Sequence, residues 1–189
     1  MAGLRAATWP AHQRLEKRLD VKVRFTHMDS YRDHLRKMWG FHATLEQQLE
    51  QDGLDETLPD YESRRKLPLL TQDLLALAAD PEFVRRIDRC PTILTRRNQA
   101  AALGCAYVLE GATLGGRTLL PLVQARLGLT ARSGASFLAS YGEDVTSMWR
   151  TFSDAVEDWC CNSERLANAA EAAVATFEAL EVWLCGVPP

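Results

Sequence analysis

The chain has 189 residues, 47% of them hydrophobic and 25% charged, with a net charge of −3. That length suits one domain with a real core. The mild acidity argues against a nucleic-acid binder, which would carry a basic excess, and no run of about 18 apolar residues offers a membrane span. The opening MAGLRAATWPAH lacks the apolar stretch of a signal peptide, which points to the cytoplasm. The five cysteines (Cys90, Cys105, Cys160, Cys161 and Cys185) are odd in number and include no C-x-x-C. They read as small buried hydrophobes in a reducing compartment rather than as zinc ligands or disulfides.

Ala, Leu, Glu, Gln and Arg, all good helix formers, dominate, and no stretch alternates as a strand would. Thr8 is placed to cap a first helix running to about Asp20, with Pro10 in its opening turn. Trp9, His12, Leu15 and Leu19 share one face. A second helix is predicted from Asp29 to Gln51, with Tyr31, Leu35, Met38, His42, Leu45 and Leu49 as its buried stripe and Gly53 as its stop. Residues 53–66 read as a polar loop. Helices follow over Leu67–Ala79 and, from an Asp80-Pro81 start, to about Arg89. Helical spacing resumes at Thr95 and runs to Leu127, interrupted by a glycine stretch and by Pro121, with Gly128 closing it. Arg132–Gly134 is a loop, and two last helices cover Gly142–Cys161 and Ser163–Cys185, stopped by GVPP. The whole, residues 1–189, is predicted to be a single all-α domain, a compact helical bundle.

Three features point to chemistry. His12 and Glu16 lie four apart, so both side chains leave the helix in the same direction. A neutral imidazole that ligates a metal through one nitrogen donates its other N–H to an orienting group, which Glu16 supplies directly or through a water. The alternative is an ordinary surface pair, and His42 with Glu46 repeats the spacing. The second feature is VLEGATLGG, Val108–Gly116, with Gly111, Gly115 and Gly116 inside a helix, where each costs about 1 kcal/mol relative to alanine. Such glycines serve tight helix packing, or a bent helix whose backbone faces a flat ligand. Third, Arg5, Arg14, Lys17, Arg18, Lys22 and Arg24 surround His12, either as a solvated face or as a basic rim for the carboxylates of a ligand.

With LRAATWPAHQRLE at Leu4–Glu16, YVLEGATLGG at Tyr107–Gly116 and SYGED…MWRTF at Ser140–Phe152, the chain resembles the biliverdin-producing haem oxygenases. The likeness is to the short bacterial, bacteriophytochrome-associated form and spans most of the chain. The resemblance implies an all-α haem oxygenase fold and haem as both substrate and cofactor. O2 and electrons from an external reductant, ferredoxin or NADPH-linked, would open the haem ring to biliverdin, releasing CO and ferrous iron. Implied partners are haem, an electron-donor protein and a bacteriophytochrome receiving biliverdin, with no nucleic acid and no membrane. The resemblance makes His12 the proximal iron ligand and Glu16 its hydrogen-bonding partner. Arg5 and Arg150 become propionate contacts, Tyr107 a member of a distal or propionate network, and Gly111, Gly115 and Gly116 the kinked distal helix.

One departure stands out. Many members place an aspartate directly after the first distal glycine, where it organises waters that protonate bound oxygen, and here that position is Ala112. Thr113 is nearby, but a helical threonine tends to bond its own backbone. Two other readings compete. One is a non-catalytic haem carrier or sensor, which Ala112 favours. The other is a cofactor-free interaction module anchored by Trp39, Trp149 and Trp159. A di-iron bundle requires Glu-x-x-His on two helices, whereas Trp9, Arg24, Tyr31 and Trp39 precede the four histidines by three. A related fold that degrades thiamin uses a nucleophilic cysteine. Cys105 is the cysteine near the glycines, and it has no obvious base beside it.

Overall fold

The computed structural model describes residues 1–77, 80–91, 93 and 98–187, and among them every regular element is helical. The first helix, α1 (Ala2–Leu19), begins well before the expected cap. Thr8 is buried inside it, its hydroxyl donating to the Leu4 carbonyl at 2.8 Å. Pro10 therefore sits in the helix interior, where it forfeits one backbone hydrogen bond. The helix is held instead by its buried stripe of Leu4, Thr8, Ala11 and Leu15. After the turn α2 (Val21–Arg24), α3 (Met28–Gln51) buries all six residues of its predicted stripe, and Gly53, at φ 70°, stops it.

The segment expected to be a loop contains two helical turns, α4 (Leu54–Thr57) and α5 (Tyr61–Arg64), and buries Leu54, Leu58, Tyr61, Arg64 and Lys66. Its polar composition concealed this, because Arg64 and Lys66 are buried against charged partners. Next come α6 (Leu67–Ala76), whose expected end at Ala79 lies outside the described residues, and α7 (Pro81–Arg85). Asp80 caps α7 by accepting from the Phe83 N–H at 2.7 Å, and the helix stops at Arg85 rather than Arg89. The expected start at Thr95 also lies outside the described residues.

The longest helix, α8 (Gln99–Leu127), is capped by Asn98 and runs unbroken through all three glycines and Pro121, correcting the expected interruption. None of those glycines has a positive φ, whereas Gly128 does at 69° and ends the helix. A short helix not anticipated from the sequence, α9 (Ser136–Ala139), is fixed by buried Asp73, which accepts from the Ser136 and Phe137 N–H groups at 2.7 and 2.8 Å. The 3-10 turn Gly142–Asp144 leads into α10 (Val145–Trp159). The last helix, α11 (Ser163–Cys185), has the expected bounds and is capped by Asn162.

The long helices α8 and α11 approach so closely that a Cβ on Gly104 would overlap the Ala169 carbonyl oxygen. Nearby, Thr176 of α11 donates to the Cys105 sulfur at 3.0 Å. Along α11 also lies α1, while α3 packs on α6, α8 and α11. Cys90, Cys105 and Cys160 are buried as expected, but Cys161 is exposed and Cys185 half-buried at the ends of α10 and α11. Trp39 is buried, its indole N–H donating to Thr71 at 2.9 Å, and Trp149 and Trp159 are half-buried against the core, so none is a free anchor.

A fully buried imidazole makes this fold acid-sensitive. His34 packs edge-on against Phe25, 5.0 Å between ring centres, and its Nδ1 has no hydrogen-bond partner. Burial, aided by Arg24 and Lys37 and opposed by Asp33, pushes its pKa down to about 3. Above the ordinary value of 6.5 the imidazole is neutral folded or unfolded. Below it only the unfolded chain takes the proton, so stability falls with pH. Between pH 7 and pH 5 the fold is expected to lose about 2 kcal/mol through this group. Urea denaturation at the two pH values checks it, and His34→Leu should abolish most of the difference.

Candidate active site

The buried stripe of α1 packs on α11 and brings His12 to the edge of that contact. The imidazole meets Phe177 edge-on, 5.5 Å between ring centres, and stacks on Trp9 at 5.7 Å with planes 16° apart. Its Nδ1 is buried without a hydrogen-bond partner, yet the side chain as a whole remains 39% exposed, so the opposite edge of the ring is the open one. Glu16 places Oε2 3.6 Å from Nδ1, beyond direct hydrogen-bond distance but within reach of a small rotation or a bridging water.

The other His–Glu pair is built differently. His42 Nδ1 lies 2.9 Å from Glu46, and both side chains are buried. Glu46 also accepts from the Lys66 and Leu67 N–H groups at 2.9 and 3.1 Å, capping the start of α6, and from Arg65 at 3.3 Å. Burial alone would raise its pKa, but the bonds from His42, Lys66 and Leu67 outweigh it and hold the carboxylate below its ordinary range. This pair is a structural clamp, buried away from any ligand in solution.

The glycines of α8 divide into two kinds. A Cβ on Gly116 would overlap the Leu138 carbonyl oxygen, so Gly116 seats α9. A Cβ on Gly111 would stand 3.9 Å from the Trp149 ring, an ordinary contact, and one on Gly115 would meet nothing within 4 Å. Gly111 and Gly115 thus present one turn of bare backbone on an open side of α8. Tyr107, one turn earlier, is half-buried against Trp149 at 5.8 Å. Ala112 is exposed, and the Thr113 hydroxyl donates to the Glu110 carbonyl at 2.7 Å, so it is committed to its own helix.

Of the six basic residues around His12, Arg14 and Arg18 pair with Glu181 and Arg24 donates to the Leu184 carbonyl, fastening this region to α11. Arg5, two helical turns before His12, is exposed, as is Arg150 on α10, and neither makes an ion pair among the described residues. A shallow, open depression lies elsewhere, along α6 between Arg65 and Leu75.

A cluster around Glu110 carries no role in the sequence-based reading. Glu110 Oε2 pairs with Arg64 at 2.7 Å, and Oε1 accepts from the Tyr141 hydroxyl at 2.7 Å. Lys66 Nζ lies 4.0 Å from the same oxygen and 3.7 Å from the centre of the Tyr141 ring. Burial brings the Lys66 pKa down to about 8, opposed by Glu110 and Glu46. The available signal was Glu110 itself, an acid between Leu109 and Gly111 in an otherwise uncharged stretch of α8.

Cys105 is sealed between α8 and α11, and burial pushes its thiol up to about 12, which removes it as a nucleophile. Among the described residues no group of three or more His, Cys, Asp or Glu side chains is placed to hold a metal ion.

Among the described residues the chain is all-helical, with a histidine partly open at the edge of one helix and bare glycine backbone on another. The Heme oxygenase family model matches residues 1–185, and the chain belongs to that family; it degrades haem to biliverdin. Its fold is similar to that of the heme oxygenase from Neisseria meningitidis, solved in NO- and CO-bound forms, with a TM-score of 0.78 and 23% identity over 96% of this chain and 87% of that one. The heme oxygenase from Leptospira interrogans is similar too, with a TM-score of 0.77 and 17% identity over 97% of both chains. No curated protein matches in sequence.

The two kinds of glycine should separate on substitution. Gly116→Leu is expected to destabilise the fold by about 1–3 kcal/mol through overpacking. Gly115→Leu should leave the melting temperature unchanged or slightly raised, because leucine is the better helix former, while blocking haem binding. Thermal melts beside a haem titration read both effects.

Proposed function

We propose that His12 ligates the haem iron through its open ring edge, with Nδ1–H directed at Glu16. The single observation that carries this is the buried, unpartnered Nδ1 of His12 beside a carboxylate 3.6 Å away. The residues fit the cofactor: an imidazole with one nitrogen held toward an acid and the other edge free is suited to axial ligation. Nδ1–H donation to Glu16 orients the ring and makes the neutral imidazole a better donor to iron. Phe177 and Trp9 keep it from turning away. Gly111 and Gly115 supply the distal face, admitting a planar ligand against backbone where any side chain would stand in its place. Arg5 and Arg150, exposed and without an ion pair among the described residues, are read as propionate contacts, and Tyr107 as part of the pocket wall. Gly116 serves the distal face indirectly, by setting α8 on α9.

Bound haem supplies the iron at which O2 is reduced, and its own ring is the bond framework that opens. The protein's share would be to hold it between His12 and the backbone of Gly111 and Gly115, with Arg5 and Arg150 fixing its rotation. The reductant is read as a ferredoxin or an NADPH-linked protein, and the recipient of biliverdin as a bacteriophytochrome. Both readings rest on the resemblance to the short bacterial form carried by Leu4–Glu16, Tyr107–Gly116 and Ser140–Phe152. The setting is read as the cytoplasm; no described helix is long and apolar enough to cross a membrane.

His12→Ala is expected to abolish biliverdin formation and to shift the Soret band of the haem complex, with the far-UV circular dichroism unchanged. Imidazole added to the variant should restore part of the spectrum. A His12→Ala protein with the parental haem spectrum would remove His12 from the iron.

A further inference from the structure

We propose that Glu110 is a positioning residue for the distal face, holding the backbone of Gly111 and Gly115 at its working distance from haem through Arg64 and Tyr141. The proposal rests on the reading above that this glycine face is the distal one.

The constraint arises from the glycines themselves. A helix face without side chains has nothing of its own with which to fix its height or rotation, so a neighbouring face must do so. On α8 that neighbour is Glu110, the sole acidic residue among the helix's 29 and almost fully buried. Its two carboxylate oxygens reach different elements. Oε2 takes Arg64 of α5 at 2.7 Å, and Oε1 takes the Tyr141 hydroxyl, just before α10, at 2.7 Å. Arg64 is itself fixed, gripped by Asp60 through two bonds of 2.8 and 2.7 Å and donating to the Met148 carbonyl of α10 at 3.2 Å. The residue after Met148 is Trp149, whose ring bounds Gly111 and packs on Tyr107. One carboxylate therefore connects α8, α5 and the start of α10 around the first distal glycine.

The arrangement also bears on Ala112. A methyl group there holds no hydrogen bond, and the Thr113 hydroxyl is spent on the Glu110 carbonyl of its own helix, so neither residue offers a polar group to the open side. Geometry set from behind the helix, rather than by an acid on its open face, is how this chain would orient oxygen on haem.

The test uses the full-length haem complex of Glu110→Gln and Tyr141→Phe. Tyr141→Phe keeps the Arg64 pair and so covers the case in which Glu110→Gln fails to fold. The readout is the alkaline transition of the ferric complex in its visible spectrum, together with the isomer composition of the biliverdin formed. The expected result is a displacement of the transition by about one pH unit, a tenfold change in proton affinity, and a changed isomer ratio, with haem still bound. Parental transitions and isomer ratios in the variants, alongside a lowered melting temperature, would make Glu110 purely structural and overturn the proposal. Gly115→Leu in parallel distinguishes the two levels. Full haem binding in that variant would remove the distal reading itself, whereas blocked binding with silent Glu110 and Tyr141 variants would remove only this inference.

Discussion

The close approach of α8 and α11 is the contact on which the rest of the molecule depends. Gly104 permits it, because any side chain there would strike the Ala169 carbonyl. With backbone against backbone, Cys105 reaches Thr176, and α11 becomes a common support for the helices that carry the site. His12 is held on it by Phe177, and Arg14 and Arg18 are anchored on it by Glu181. The helices that carry His12 and the glycine stretch thus share one support in α11.

The contrast between His12–Glu16 and His42–Glu46 shows how one sequence spacing yields two kinds of site. Both pairs sit four apart on a helix. In α3 the pair is driven inward by an apolar stripe, and Glu46 satisfies the free N–H groups at the start of α6. In α1 the pair lies at the rim of the stripe, the carboxylate stays exposed and the imidazole keeps a nitrogen unspent. The difference lies in access: His42 is buried together with its carboxylate, whereas the His12 ring keeps an edge open to solvent.

Much of this was legible from sequence. The stripe of α3, the cap at Asp80 and the bounds of α11 follow from periodicity and end signals. The start of α1 did not, because Thr8 resembled a cap while its hydroxyl bonds backward to Leu4. The region between α3 and α6 was hidden for a related reason. Its polar residues suggested solvent, but Arg64 and Lys66 are buried by Glu110, which lies 46 and 44 residues further along the chain. No local pattern reports such a partner. Gly116 and Gly115 are likewise indistinguishable in sequence, and only the position of Leu138 separates the packing glycine from the open one.

The buried thiol of Cys105 has a further consequence for an enzyme that handles oxygen and electrons together. Reactive oxygen species attack the thiolate far more readily than the thiol. Held between two helices with a pKa near 12, Cys105 stays protonated and out of reach at any physiological pH. The thiol at the joint between α8 and α11 is thereby shielded from such by-products by the packing that forms the joint.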